Sequence, residues 1–452
     1  MRCSDITRTT RRIIAHELAP RTRIVWLGAL CAAVLVTTVA CELADWQTAY
    51  RSPAPVPILS EPNMRVRVRR ALEQAEISGA RRIMLVAGEQ RALLNAPVVA
   101  TAAGGGVTFT DAIGQRVTVP ASRDAELVPA DPRVGPAPEP ALELDGARFP
   151  GRLRFLATGP RLDVINLVPL ETYVAGVISK ELYSSWQLDA YCVQAVTARS
   201  YALHERARAM AEDRSYDVEN TTADQVYGGV NTLAVAEQAT EETRGHVMRR
   251  HGQILRTYYS STCGGRAASA ADTWPTGPGY EFNRVDSIQG HDRPHACDFS
   301  PLYRWDVLRS SHDINERVLG WARATSQDAG APLRGFTELR AIEVARRNAT
   351  GRPAAYRLTD RSGLTATISA EQLRLALNYA TPAYPAPQRE SLVRSGDIEV
   401  MFRPGEVFIA GRGFGHGVGM CQFCAEGFAR RGMDWRRMLT MFYPRAEIER
   451  LY

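Results

Sequence analysis

Lysine is almost missing from this chain. Lys180 is the single lysine among 55 lysine and arginine residues, a compositional bias and not a sign of phosphate recognition. Clustered charge is missing too. The net charge of +6 is spread along 452 residues, which excludes the concentrated basic footprint of a nucleic-acid binder. A mild basic surplus suits an anionic polymer and an ordinary basic surface equally well. Internal repeats are absent, so a solenoid or propeller is excluded. The glycine-rich stretch Gly413–Gly419 has no Lys-Ser/Thr after it, so it is not a phosphate loop. What the chain does have is apolar mass: 45% of it is hydrophobic, ample for a buried core and for two or three domains.

Residues 1–45 read as an export segment rather than part of the fold. Arg11, Arg12, Arg21 and Arg23 precede an apolar run from Ile24 to Cys41, positive charge followed by a hydrophobic stretch. Thr38-Val39-Ala40-Cys41 fits a lipoprotein cleavage box, with Cys41 as the lipidated N-terminus. The run is also near the minimum length for an uncleaved membrane anchor, and simple secretion is the third outcome. All three place the rest of the chain outside the cytoplasm, facing cell wall or periplasm. Beyond this segment remain Cys192, Cys263, Cys297, Cys421 and Cys424. An odd number in an exported chain means that at least one thiol is free, metal-bound or paired elsewhere.

Residues 46–64 are proline-bearing linker. Residues 65–145 are strand-rich, with alternation at Arg65–Val68 and Val107–Thr110, a turn at Gly104-Gly105-Gly106, and an extended stretch around Pro132–Pro140. Residues 146–452 form the expected core region. Strands are expected at 152–155 and 162–168, then a helix from about Leu188 to Ala211, free of glycine and proline. A second helix is expected at Ala234–Arg244, closed by Gly245. Residues 254–262 read as a buried strand, 335–380 as strand, turn, strand, helix, and 421–431 as helix. Helices and strands do not alternate regularly, so the fold class is α+β.

Three segments resemble the stage II sporulation protein D family, which includes the amidase enhancers of Gram-positive cell walls. They are NLVPLETYVAGVISKELYSSWQLDAYCVQAVTARSY at 166–201, DQVYG at 224–228 with YYSSTCGG at 258–265, and GRGFGHGVGMCQF at 411–423. Gly351-Arg352 and Leu373-Arg374 agree more weakly. The resemblance spans about 65–452. It implies a lytic transglycosylase acting on peptidoglycan glycan strands, or a non-catalytic wall-binding module that activates an amidase partner. It places the catalytic acid at Glu181 and a cleft-lining arginine at Arg199. Gln194, Tyr201, Gln225, Tyr227, His416 and Gln422 match positions expected to contact substrate.

A lytic transglycosylase can work with one carboxyl group where a hydrolase normally needs two. Glu181 is flanked by Leu182, Tyr183 and Trp186, and desolvation there would raise its pKa as a general acid requires. Asp189 and Asp224 are the carboxylates available to a hydrolysing alternative. Cys263, His291, His295 and Cys297 have feasible spacings for a closed structural zinc site. A Cys263–Cys297 disulfide and free thiols remain open. Zinc is the only cofactor expected. Two departures from the family pattern stand out: Cys192 where lysine is usual, and Cys421-Gln422-Phe423-Cys424, whose Cys-x2-Cys is half a metal site or a disulfide.

Overall fold

The computed structural model describes residues 60–130, 141–221, 223–325 and 330–452. The export segment with Cys41, most of the linker and the stretch around Pro132–Pro140 lie outside the described residues. Among the described residues no helix is long and apolar enough to cross a membrane.

Alternating burial builds two sheets around one core. In Asn63–Leu72, Met64, Val66 and Val68 point inward while the arginines between them stay half-buried, the period-two signature of a strand. This strand pairs antiparallel with Arg161–Pro169, which pairs with Arg152–Thr158, and that strand with Ala125–Pro129. Arg82–Ala87 and Gln90–Asn95 complete one side and Val218–Glu219 the other, giving seven strands. A six-stranded sheet of Ala147–Pro150, Ala141–Leu144, Gln74–Ser78, Val98–Ala103, Gly106–Thr110 and Arg116–Pro120 shares the same hydrophobic core. Hydrogen-bonded ladders therefore run straight across residue 145, and strands from both sides of that position build the same sheets.

The helices pack on this core: α1 (Leu170–Glu181), α2 (Leu188–Ala211) and α3 (Ala234–Glu242). The body of α2 is buried on every side, from Ala190 to Glu205, the mark of a central helix. Helix α1 fills a stretch between the expected strand at 162–168 and the expected helix from Leu188 for which the sequence pattern names no element. Pro169 stands at its N-cap position, where a missing N–H costs nothing.

A second core lies within residues 305–409. Strands Arg304–Ser310, Glu406–Arg412 and Ile398–Arg403 form one small sheet, and Leu339–Arg347, Pro353–Asp360 and Thr365–Ser369 another. Helices α4 (Ser311–Ala324) and α5 (Ala370–Leu377) cover them. Ser310 caps α4, and Ser369 with Gln372 forms a capping box on α5. The chain then returns to the main core through α6 (Gln422–Ala429) and α7 (Trp435–Phe442).

Candidate functional site

Glu181 ends α1. Its carboxylate accepts from Gln422 Nε2 at 3.0 Å and from Tyr259 Oη at 3.4 Å. Burial pushes the carboxyl above its usual range, and the two hydrogen bonds oppose that push only in part. Its place in the last helical turn, beside unpaired carbonyls, disfavours negative charge as well. The adjoining Lys180 runs its stem across Gly228.

Behind Glu181 a chain of amides and phenols fixes the donors. Gln422 Nε2 also donates to Gln194 Oε1 at 3.2 Å. Gln225 Nε2 donates to Tyr259 Oη at 3.2 Å, and Tyr173 Oη donates to Gln225 Oε1 at 3.0 Å. Gln194 and Gln225 thus hold the groups that touch Glu181 instead of reaching the cleft themselves.

Glu181 opens into a cleft of about 760 Å³, well inside the range that accommodates ligands. The cleft draws residues from both cores. On one flank Tyr183 is exposed and packs against Trp186, which packs edge-on against Phe423. On the other, Tyr258 stacks on Trp274 with ring centres 4.0 Å apart. Apolar ring faces beside polar edges are suited to sugar rings. Tyr201 Oη donates to Asp224 at 2.9 Å and accepts from Arg256 at 3.0 Å. The second core contributes Arg374 and Glu371. Burial favours the neutral form of Glu371, but the bonds from Arg374 outweigh it and hold the carboxyl below its usual range.

His416 lines the cleft within the glycine-rich loop, against the Trp274 ring. Its Nδ1 accepts from Val418 N–H at 3.0 Å. Burial pushes its pKa down to about 4, so the ring is neutral at neutral pH. Gly413, Gly415, Gly417 and Gly419 all have positive φ, which folds the loop onto Tyr258–Ser261 and lets Tyr259-Ser260 pair with Met420-Cys421. That short ladder brings Tyr259 and Gln422 to the same carboxylate.

Besides Gln194 and Gln225, two more expected cleft residues lie off the cleft. Arg199 is wholly buried and binds Glu171, Nε to Oε1 at 3.0 Å and Nη2 to Oε2 at 2.5 Å. It also donates to the carbonyl of His246 at 3.1 Å, while Glu171 accepts from Gly245 N–H and Tyr452 Oη. Arg199 is a structural cross-tie between α1, α2 and the segment after α3, because it faces away from Glu181. Tyr227 is core: its hydroxyl donates to Asn166 at 3.0 Å. Gly176 explains its neighbourhood, since a Cβ there would lie 2.6 Å from the Tyr227 ring.

Comparisons with known proteins point toward one family. The family model described as "Stage II sporulation protein" matches residues 158–249. Stage II sporulation protein D of Bacillus subtilis is 23% identical over 299 residues, covering 63% of this chain and 75% of that protein. Over these residues the chain is similar to the stage II sporulation protein D family. The amidase enhancer of B. subtilis is 25% identical over 288 residues, covering 60% of this chain and 39% of the enhancer. An uncharacterized protein of Brachyspira hyodysenteriae is 26% identical over 306 residues, 68% of this chain and 73% of that protein. Within this sporulation protein D-like chain, the matched segment carries Glu181, Gln194 and Gln225. Tyr259, His416 and Gln422 come from beyond it.

The expected metal set of Cys263, His291, His295 and Cys297 is rearranged. Both ring nitrogens of His291 lie against backbone carbonyls, Gln289 at 3.2 Å and Met441 at 2.9 Å, away from the sulfurs. His295 Nδ1 is 3.5 Å from Cys263 Sγ. The groups that converge are Cys263, Cys297, Cys421 and Cys424. Tyr259 and Trp274 are site residues that sequence reasoning missed. YYSSTCGG is recognisable as a motif, but nothing in its residues aims one tyrosine of the pair at Glu181.

Proposed function

We propose that this protein is a peptidoglycan lytic transglycosylase with Glu181 as its single acid/base. A role on the cell wall is supported by the family match and by the relatives named for sporulation and amidase enhancement. The observation that carries the finer reading is Glu181 itself: a carboxyl made more basic by burial, gripped by two neutral donors, at an aromatic-lined cleft.

In this reading a glycan strand lies along the cleft with sugar rings against Tyr183 and Trp274. Protonated Glu181 gives its proton to the glycosidic oxygen as the bond to the muramic C1 breaks. The carboxylate, now accepting from Gln422 and Tyr259, takes the proton of the muramic C6 hydroxyl. O6 closes on C1, leaving a 1,6-anhydro end and consuming no water. The glutamate is returned to its starting protonation state. Neutral His416 fixes the loop that positions both donors. The substrate places the domain outside the cytoplasmic membrane, with Cys41 as lipid attachment point or the apolar run as anchor.

A second reading rests on the amidase-enhancer relative: the cleft binds glycan without cutting it, and the protein activates an amidase. Product analysis separates the two. Release of 1,6-anhydromuramic ends by wild type and not by Glu181→Gln supports the enzyme. Strand binding without cleavage, with stimulation of an added amidase, supports the activator.

A further inference from the structure

Four buried sulfurs meet beneath the glycine-rich loop. Cys263 follows the Tyr259-Ser260 strand, Cys297 lies in the loop before Arg304, and Cys421 and Cys424 open α6. Their Sγ atoms lie within 4.8 Å of one another, with Cys263 3.6 Å from Cys297 and 3.8 Å from Cys424. None of the four is in a disulfide. Tetrahedral zinc, with Zn–S bonds of about 2.3 Å, spaces its sulfurs about 3.8 Å apart. A polynuclear iron–sulfur cluster spreads its thiolates over two or more irons and needs a wider set.

Backbone N–H groups also aim at the sulfurs. Cys263 N–H donates to Cys421 Sγ at 3.2 Å, Cys424 N–H to Cys421 Sγ at 3.4 Å, and Ala296 N–H to Cys424 Sγ at 3.5 Å. Donors around sulfur stabilise thiolate charge and orient metal ligands. Four protein ligands fill a tetrahedron and leave no open position, so the site is structural. Between the two α6 cysteines stands Gln422, the donor to Glu181.

We propose that Cys263, Cys297, Cys421 and Cys424 bind one zinc ion as four thiolates, and that this knot holds Gln422 where it meets Glu181. The ion-binding half is independent of the glycan reading, and the consequence for Glu181 rests on it. Binding releases the thiol protons to solvent, and no oxidant or reductant is involved. The knot ties two separate segments of the chain, at Cys263 and at Cys297, to the start of α6, something the side chains of buried thiols alone do weakly.

The test is metal analysis of the full chain purified under reducing conditions, followed by cobalt exchange. We expect about one zinc per chain and, with cobalt, the strong thiolate-to-metal absorption of a four-sulfur tetrahedral site. His291→Asn and His295→Asn should keep both the zinc and that spectrum, while Cys424→Ser should lower zinc content about tenfold. If Cys424→Ser does not fold, the wild-type cobalt spectrum and the two histidine variants decide the matter. Wild type that carries two disulfides and no metal after zinc supplementation, or loss of zinc from a histidine variant, overturns the four-cysteine site. A chain that holds zinc yet leaves glycan uncut upholds the site and removes the enzyme reading; cleavage without zinc does the reverse. Stripping the metal from an active protein should shift the pH profile set by Glu181, and an unmoved profile overturns the positioning role.

Discussion

Glu181 and its two donors set the pH behaviour of the site. A hydrogen bond to the ionised carboxylate lowers its pKa, so removing one raises it. Gln422→Leu should move the alkaline limb of the cleavage–pH profile upward by about one unit, given roughly 1.5 kcal/mol for a charge-assisted bond. An unmoved limb would mean that Gln422 does not act on Glu181. Arg199 behaves differently. Arg199→Ala strands Glu171 in the core and should cost about 3–5 kcal/mol in chemical denaturation, against a small change for an exposed arginine such as Arg361. The sequence separates these roles only partly. Glu181, His416 and Gln422 are legible through the family motifs and do meet at the cleft. Arg199 sits in the same motif as Glu181 but turns to the other side of α2, because five residues along a helix from Gln194 no longer face the same neighbour.

At the level of elements, legibility follows local chemistry. Helix α2 is readable to its ends because no glycine or proline interrupts it, and the turns at Gly351 and Gly363 are marked by residues that do adopt positive φ. Helix α1 escapes a sequence reading because Val174, Val177, Ile178 and Gly176 favour other conformations; burial of one face against the core overrides them. Helix α7 escapes it despite a usable signal, the Asp434 cap followed by Met438, Leu439 and Phe442 on one face. The glycine-rich loop offers a direct test. At Gly419, φ is +70° and a Cβ would stand 2.1 Å from the Tyr258 carbonyl oxygen. Gly419→Ala should therefore cost about 3 kcal/mol or more in thermal unfolding and separate Tyr259 from Gln422. Gly405 has a similar φ of +77° in open space, so Gly405→Ala should cost only about 1 kcal/mol. His416 contributes a pH term. Its folded pKa of about 4 lies below its unfolded value near 6.5, so the unfolded chain binds more protons in that window. Stability should fall as pH drops from about 6.5 to 4, by roughly 2–3 kcal/mol, and His416→Asn should flatten that part of the curve. An unchanged slope would show that His416 is not the group responsible.

On the scale of the whole molecule, the cleft is built where two cores meet. The main core supplies Glu181, Tyr259 and Gln422, and the second supplies Arg374 and Glu371 across the cleft. The α+β class is legible in sequence, because hydrophobic periodicity is local. The joining of Cys263 and Cys297 to Cys421 and Cys424 is not, because it is a long-range closure that spacing alone does not encode. Only the Cys421-x2-Cys424 half is visible as a spacing. The most direct measurement is mass spectrometry of glycan strands, both denuded and peptide-bearing, after incubation with the chain from about residue 50 onward or its Glu181→Gln variant. The variant keeps the side-chain size and can still hydrogen-bond, but it has no proton to give. The account predicts 1,6-anhydromuramic ends from wild type and a loss of about 10³-fold or more in the variant. Strands left whole by both proteins, or reducing muramic ends in place of anhydro ends, would contradict it.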